Sequence, residues 1–86
     1  MAKIMIVDDA VFMRTMLKNI FQSDEFEIVA EAADGEQAVQ LYKNHRPDLV
    51  TLDITMPVMD GIAALIEIRK IDPKAKVIMC SAMGQQ

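Results

Sequence analysis

Apolar residues fall into two alternating patterns along this chain. Four short runs, centred on Ile4-Met5-Ile6-Val7, Phe26 to Ala30, Leu49-Val50-Thr51-Leu52 and Val77-Ile78-Met79, are nearly continuous. Runs of that kind predict strands over residues 3–7, 26–31, 48–52 and 76–80. Between them the apolar residues recur at helical spacing. Met13, Met16, Leu17, Ile20 and Phe21 place one stripe on a helix of about three turns. Ala38, Leu41 and Tyr42 form the inner face of a second helix, opened by Asp34 as N-cap with Gln37 as its capping partner and stopped by Pro47. Asp60 caps a third helix reaching about Ile71, and Asp72-Pro73 breaks the chain before the last strand. The order βαβαβαβ predicts right-handed crossovers and a parallel sheet covered on both faces.

The third helix carries more apolar surface than a core stripe needs. Ala64, Leu65, Ile68 and Ile71 suffice for the core, and the added Ile62 and Ile66 are expected to pack against a neighbouring helix.

Composition narrows the class. With 86 residues the chain makes one domain, 1–86, with no linker, repeat or low-complexity tract to mark a second. Its 52% apolar and 26% charged residues are those of a folded globular protein. A net charge of −4 with no Lys/Arg block argues against a grip on nucleic acid. No stretch approaches a membrane span and no signal pattern opens the chain, so a cytoplasmic location is expected, with no membrane partner. The single cysteine, Cys80, fits a reducing compartment and reads as a small apolar strand residue. His45 lies in the last turn of the second helix without companions at ligand spacing, so it is read as a solvated residue favourable to the helix dipole.

The chemistry gathers at strand ends. Asp8 and Asp9 follow the first strand, and Asp53 follows the third. In a parallel sheet with these strands adjacent, the three carboxylates meet at the edge where ligand crevices open. Two unit charges about 4 Å apart repel by roughly 4 kcal/mol at the effective dielectric near a protein surface. A divalent cation relieves that crowding, and Mg²⁺ suits a site of hard oxygen ligands. Met56-Pro57 enforces an extended chain just after Asp53, so the 53–60 loop is expected to stay open over the strand end. At the tip of the fourth strand Ser81 offers a hydroxyl, and the small Ala82 leaves backbone N–H groups accessible to an anion. Together these residues suit phosphoryl transfer onto a carboxylate, with Asp53 as nucleophile.

Asp8-Asp9, the Asp53-Ile54-Thr55-Met56-Pro57 segment, Asp60-Gly61 and Ser81-Ala82 together resemble the receiver domain of two-component response regulators. The Val7-Asp8-Asp9-Ala10 segment through Met13-Arg14, and the ending from Cys80 to Gln86, are most similar to its chemotaxis-type members. The resemblance implies a flavodoxin-like doubly wound sheet of order 2-1-3-4. It implies that Asp53 accepts a phosphoryl group from a histidine kinase, and that Asp8, Asp9, Asp53 and the backbone carbonyl of Thr55 hold Mg²⁺. It also implies phosphoryl contacts from the Ser81 hydroxyl and the Ala82 N–H, in a signalling module that is not an enzyme in its own right. An aspartyl-phosphate hydrolase is disfavoured, because such enzymes need a second Asp where this chain has Thr55.

The resembling fold continues past the fourth strand with a helix, a fifth strand and a last helix. Residues 1–86 are accordingly expected to be the N-terminal portion of a single receiver domain, an incomplete fold lacking the last strand and last two helices. Without the fifth-strand lysine of the family, phosphorylation is expected to be impaired. One absent amphipathic helix forfeits roughly 6 to 12 kcal/mol, comparable with a domain's whole stability. A homodimer or larger assembly through the fourth-strand edge and the first-helix face is therefore expected. The alternative function is a self-associating fragment whose acidic pocket is inherited but idle.

Overall fold

The computed structural model describes residues 1–80. Strand β1 (Ala2–Val7) leads to helix α1 (Val11–Ile20), then β2 (Phe26–Ala32), α2 (Gly35–His45), β3 (Leu49–Asp53), α3 (Gly61–Ile71) and β4 (Val77–Cys80). All seven predicted elements are present, with ends shifted by one or two residues. The strands form one parallel sheet of order β2-β1-β3-β4. Ser81 and Ala82 lie outside the described residues.

Strand alternation sorts the core onto two faces. Met5, Val7, Val50 and Leu52 point to one face and pack with Ala38 and Tyr42 of α2 and Ala64 and Ile68 of α3. Ile4, Ile6, Thr51 and Asp53 are buried on the other, where α1 lies against β1. A continuous apolar run such as 4–7 is what a central strand under two layers requires.

The cap residues act as their chemistry predicts. Asp34 Oδ1 accepts from the Gln37 N–H at 2.8 Å, and Asp60 Oδ1 accepts from the Ala63 N–H at 2.8 Å. Gln37 reaches one residue further back than a standard capping box, accepting from the Ala33 N–H at 3.0 Å. Arg46 ends α2 in the left-handed region (φ 44°), its N–H donating to the Tyr42 carbonyl. Pro47 disfavours the right-handed helical region for Arg46, and the chain leaves by the left-handed turn common at helix ends.

Two packing expectations fail. Of the predicted α1 stripe, Met13, Leu17 and Phe21 are half-buried, while Met16 and Ile20 are exposed. The helix rests on the sheet along one i, i+4 line, and the predicted stripe is wider than that contact. On α3, Ile62 and Ile66 are both about half exposed. The helix meets α2 and the sheet through Ala64 and Ile68, and this i, i+4 pair lies off that face.

Candidate functional site

Register brings the acidic residues together. Val7 of β1 is paired with Leu52 of β3, so the next residues, Asp8 and Asp53, fall side by side at the sheet's C-terminal edge. Asp53 in turn pairs with Cys80 of β4. One carboxylate oxygen from each of Asp8, Asp9 and Asp53 lies within 4.8 Å of the others. Asp8 and Asp53 are buried and Asp9 is exposed. A cluster of three carboxylates, two buried and one exposed, results.

Donors offset the crowding only in part. Asp8 Oδ1 accepts from the Ala10 N–H at 2.9 Å, and Asp53 Oδ1 accepts from the Thr55 N–H across a long 3.4 Å. Burial first, and then the negative charge of Asp8, push the Asp53 carboxyl above its usual range, against the weak pull of that N–H. Among the described residues Asp53 is left with little compensation, an arrangement that a bound cation would offset. Hard carboxylate oxygens at this spacing fit Mg²⁺ better than they fit a soft metal.

The loop after Asp53 is tighter than its sequence suggests. As expected it does not wind straight into a helix, but it is pinned back: the Gly61 N–H donates to the Ile54 carbonyl at 2.8 Å, and the Gly35 N–H donates to the Met59 carbonyl at 2.9 Å. A Cβ at Gly61 would collide with the carbonyl oxygen of Asp53, and one at Gly35 with that of Met59. The loop also holds Val58 at φ 68°, a strained setting for a β-branched residue. Met56 is buried under the loop and Pro57 is exposed. The repeated Asp-Gly pairs, 34–35 and 60–61, were the sequence signal for these close approaches, masked by the more obvious reading of each Asp as a cap.

The structure thus unites Asp8, Asp9 and Asp53, with Thr55 two residues on. Cys80 is half-buried beside them, its thiol pushed up by burial and then by the charge of Asp8, as befits an inert strand residue. His45 is exposed at the end of α2, remote from this edge. Among the described residues no helix is long and apolar enough to cross a membrane.

A doubly wound parallel sheet with an acidic triad at the ends of its first and third strands defines the phosphoacceptor modules of two-component signalling, and this chain belongs to the response regulator receiver domain family, which it matches over residues 4–86. It is 66% identical over 84 residues to the chemotaxis protein CheY of Bacillus subtilis, covering 98% of this chain and 70% of that protein. Against CheY of Thermotoga maritima the identity is 58% over 84 residues, with the same coverage. Among solved structures, a chain of the CheX-CheY-BeF3-Mg²⁺ complex from Borrelia burgdorferi superposes with a TM-score of 0.92 at 53% identity, covering 99% of this chain and 65% of that one. The response regulator domain of Thermotoga maritima CheB gives a TM-score of 0.91 at 38% identity, covering 99% of this chain and 63% of that one. The chain therefore spans about 70% of these curated relatives and just under two thirds of these solved chains.

Proposed function

We propose that this chain is the phosphoacceptor portion of a chemotaxis-type response regulator, cytoplasmic, with Asp53 receiving the phosphoryl group from a histidine kinase. The observation that carries the reading is the convergence of Asp8, Asp9 and Asp53 within 4.8 Å, around a buried Asp53 that has one long hydrogen bond among the described residues. Carboxylates of Asp8, Asp9 and Asp53, with the Thr55 backbone carbonyl, would hold Mg²⁺. Bound Mg²⁺ supplies charge neutralisation for the pocket and for the oxygens of the transferred group.

The residues then divide the work. An Asp53 oxygen attacks phosphorus as the bond from phosphorus to the donor's imidazole nitrogen breaks, and that nitrogen keeps the electron pair. Asp8 and Asp9 would supply the main carboxylate ligands to the cation. The short Asp53–Gly61 return keeps the Thr55 peptide close to the strand end. The Ser81 hydroxyl and the Ala82 N–H are assigned the remaining phosphoryl oxygens by the family pattern. The activity is a signalling transfer to the protein itself, not turnover of a substrate.

Phosphorylation by a small phosphodonor such as acetyl phosphate, followed by mass spectrometry with and without Mg²⁺, tests the reading. One phosphoryl group that needs Mg²⁺ and is lost in Asp53→Asn supports it. Labelling that persists in that variant overturns it. The second reading, a self-associating fragment, draws support from the exposed Val11, Phe12, Met16 and Ile20 on α1 and Ile78 on β4. Sedimentation decides it: a homodimer without Mg²⁺-dependent labelling favours the idle-pocket alternative, and a labelled monomer excludes it.

A further inference from the structure

We infer that Arg14 is a positioning residue for the acidic pocket, clamping the backbone that carries Asp8 and Asp9; this rests on the reading of the pocket as a cation site. The need arises from how β1 gives way to α1. The last rung of the sheet at this point is the Asp8 N–H donating to the Ala32 carbonyl at 3.0 Å. Beyond it the Asp8 carbonyl has no strand partner among the described residues. Helix α1 starts behind Ala10, which has no side chain able to cap it. A junction built this way is prone to fray, yet it carries two of the three carboxylates.

Arg14 supplies what the junction lacks. Its Nη1 donates to the Asp8 carbonyl oxygen at 2.6 Å, and its Nε donates to Glu31 Oε1 at 3.2 Å. Glu31 stands next to Ala32, the residue that accepts the Asp8 N–H. A closed circuit results, running Asp8, Ala32, Glu31, Arg14 and back to Asp8. It joins the end of β1, the end of β2 and the second turn of α1. The Arg14 side chain is only 16% exposed, so water competes weakly for it. Glu31 is anchored independently by Lys18 Nζ on Oε2 at 3.0 Å, and the Lys18 bond is the chief cause of its lowered pKa. Asp9 is exposed, so its carboxylate is aimed by this backbone more than by packing.

The clamp and simple charge make opposite predictions. Removing a cation near three carboxylates would, by Coulomb attraction alone, tighten Mg²⁺ binding. Loss of a residue that orients metal ligands weakens it, typically by tenfold or more. Calorimetric titration of the 86-residue chain with MgCl₂, with melting curves of each metal-free variant, separates the two. Arg14→Gln is expected to bind Mg²⁺ roughly tenfold more weakly. Arg14→Lys keeps the charge without the two-pronged fork, and is expected to fall between Arg14→Gln and the unaltered protein. Lys18→Gln loses a bond to the same Glu31 but does not touch Asp8, and is expected to match the unaltered protein or bind slightly more tightly.

Arg14→Gln binding as tightly as the unaltered chain, or more tightly, overturns the inference. So does a loss in Lys18→Gln equal to that in Arg14→Gln. If Arg14→Gln fails to fold, Arg14→Lys decides on the same criterion, since charge alone predicts no change there. Should the unaltered chain bind no Mg²⁺, or Asp9→Asn bind as well as the unaltered chain, the cation-site reading itself fails and the clamp falls with it. Normal binding in the unaltered chain with an indifferent Arg14 removes the clamp alone.

Discussion

Asp53 and Asp72 carry the same carboxylate to opposite ends of the sheet. Asp72, at the foot of α3, accepts from the Tyr42 hydroxyl at 2.9 Å and from the Lys74 N–H at 3.0 Å, and these donors hold its carboxyl below the usual range. Nearby, Asp48 Oδ2 accepts from the Lys3 N–H at 2.7 Å. Among the described residues Asp53 has two acidic neighbours and one long hydrogen bond, and its carboxyl is pushed up. Donors at the N-terminal edge make carboxylates part of the scaffold. At the C-terminal edge Asp8, Asp34 and Asp60 also find backbone donors. Among the described residues, however, Asp53 has only the long bond from Thr55, and a buried carboxylate left so poorly compensated is the kind of group that marks a candidate site.

The sharpest way to break the acidic end is through its backbone. Gly61→Ala would drive a methyl into the Asp53 carbonyl, with no flexible side chain to yield. A loss of about 3 kcal/mol is expected, together with loss of Mg²⁺ binding, read by chemical denaturation and titration. Near-native stability in that variant would mean the loop does not close as described.

Removing the frustrated charge should act in the opposite direction. In chelator, Asp53→Asn is expected to stabilise the fold by roughly 1–2 kcal/mol by relieving like-charge repulsion, raising Tm by about 4–8 °C per kcal/mol. The pH dependence has a definite sign. Because the folded-state pKa of Asp53 is raised, the folded chain holds that proton more tightly than the unfolded one. Its contribution to stability is thus full below the ordinary value of 3.8 and is lost as pH rises through the folded value. Asp72 does the reverse: its contribution is present above 3.8 and lost as pH falls through its lowered value. Saturating Mg²⁺ should favour the unaltered chain over Asp53→Asn. A variant that melts lower than the unaltered chain in chelator would contradict the contrast between the two ends.

The partnered end has its own reporter. Tyr42 is the only tyrosine and there is no tryptophan, so ultraviolet titration reads its hydroxyl alone. Burial first, and then the bond to Asp72, raise its pKa to about 12. Asp72→Asn is expected to lower that midpoint, and Tyr42→Phe to lower Tm by a few degrees. Because the phenol's pKa is raised, this end loses stability as pH climbs from the ordinary 10 toward 12. An unperturbed midpoint near 10 would show that the hydroxyl is not held.

The smallest effect compares two left-handed residues, one at each end. Val58 at φ 68° is β-branched, whereas Arg46 at φ 44° is not. Asn tolerates this region better than either, so Val58→Asn should gain up to about 1 kcal/mol and Arg46→Asn roughly a few tenths. Equal gains would place no special strain in the loop beside Asp53.

Much of this molecule was written in its local pattern. Continuous apolar runs specified the strands, and the central pair β1 and β3 is buried because a strand under two layers has no polar face, while the edge strands β2 and β4 are only partly covered. Helix spacing and the caps Asp34 and Asp60 set helix starts, because the orphan N–H groups of a first turn accept only a few side chains. The three carboxylates were legible because they stand immediately after two apolar runs, Asp8 and Asp9 after Val7 and Asp53 after Leu52. What local pattern could not convey depends on contacts between distant segments. The width of the α1 contact, the exposure of Ile62 and Ile66, and the return of Gly61 onto Asp53 were settled by how whole elements seat against one another. So was the reach of Arg14 to the Asp8 carbonyl, since no spacing rule links a guanidinium to a backbone oxygen whose strand partner has run out. The sequence by itself determined which groups carry the charge, and only the tertiary structure decided which of them are left without donors, because hydrogen-bond satisfaction is a property of the assembled surroundings and not of the residue.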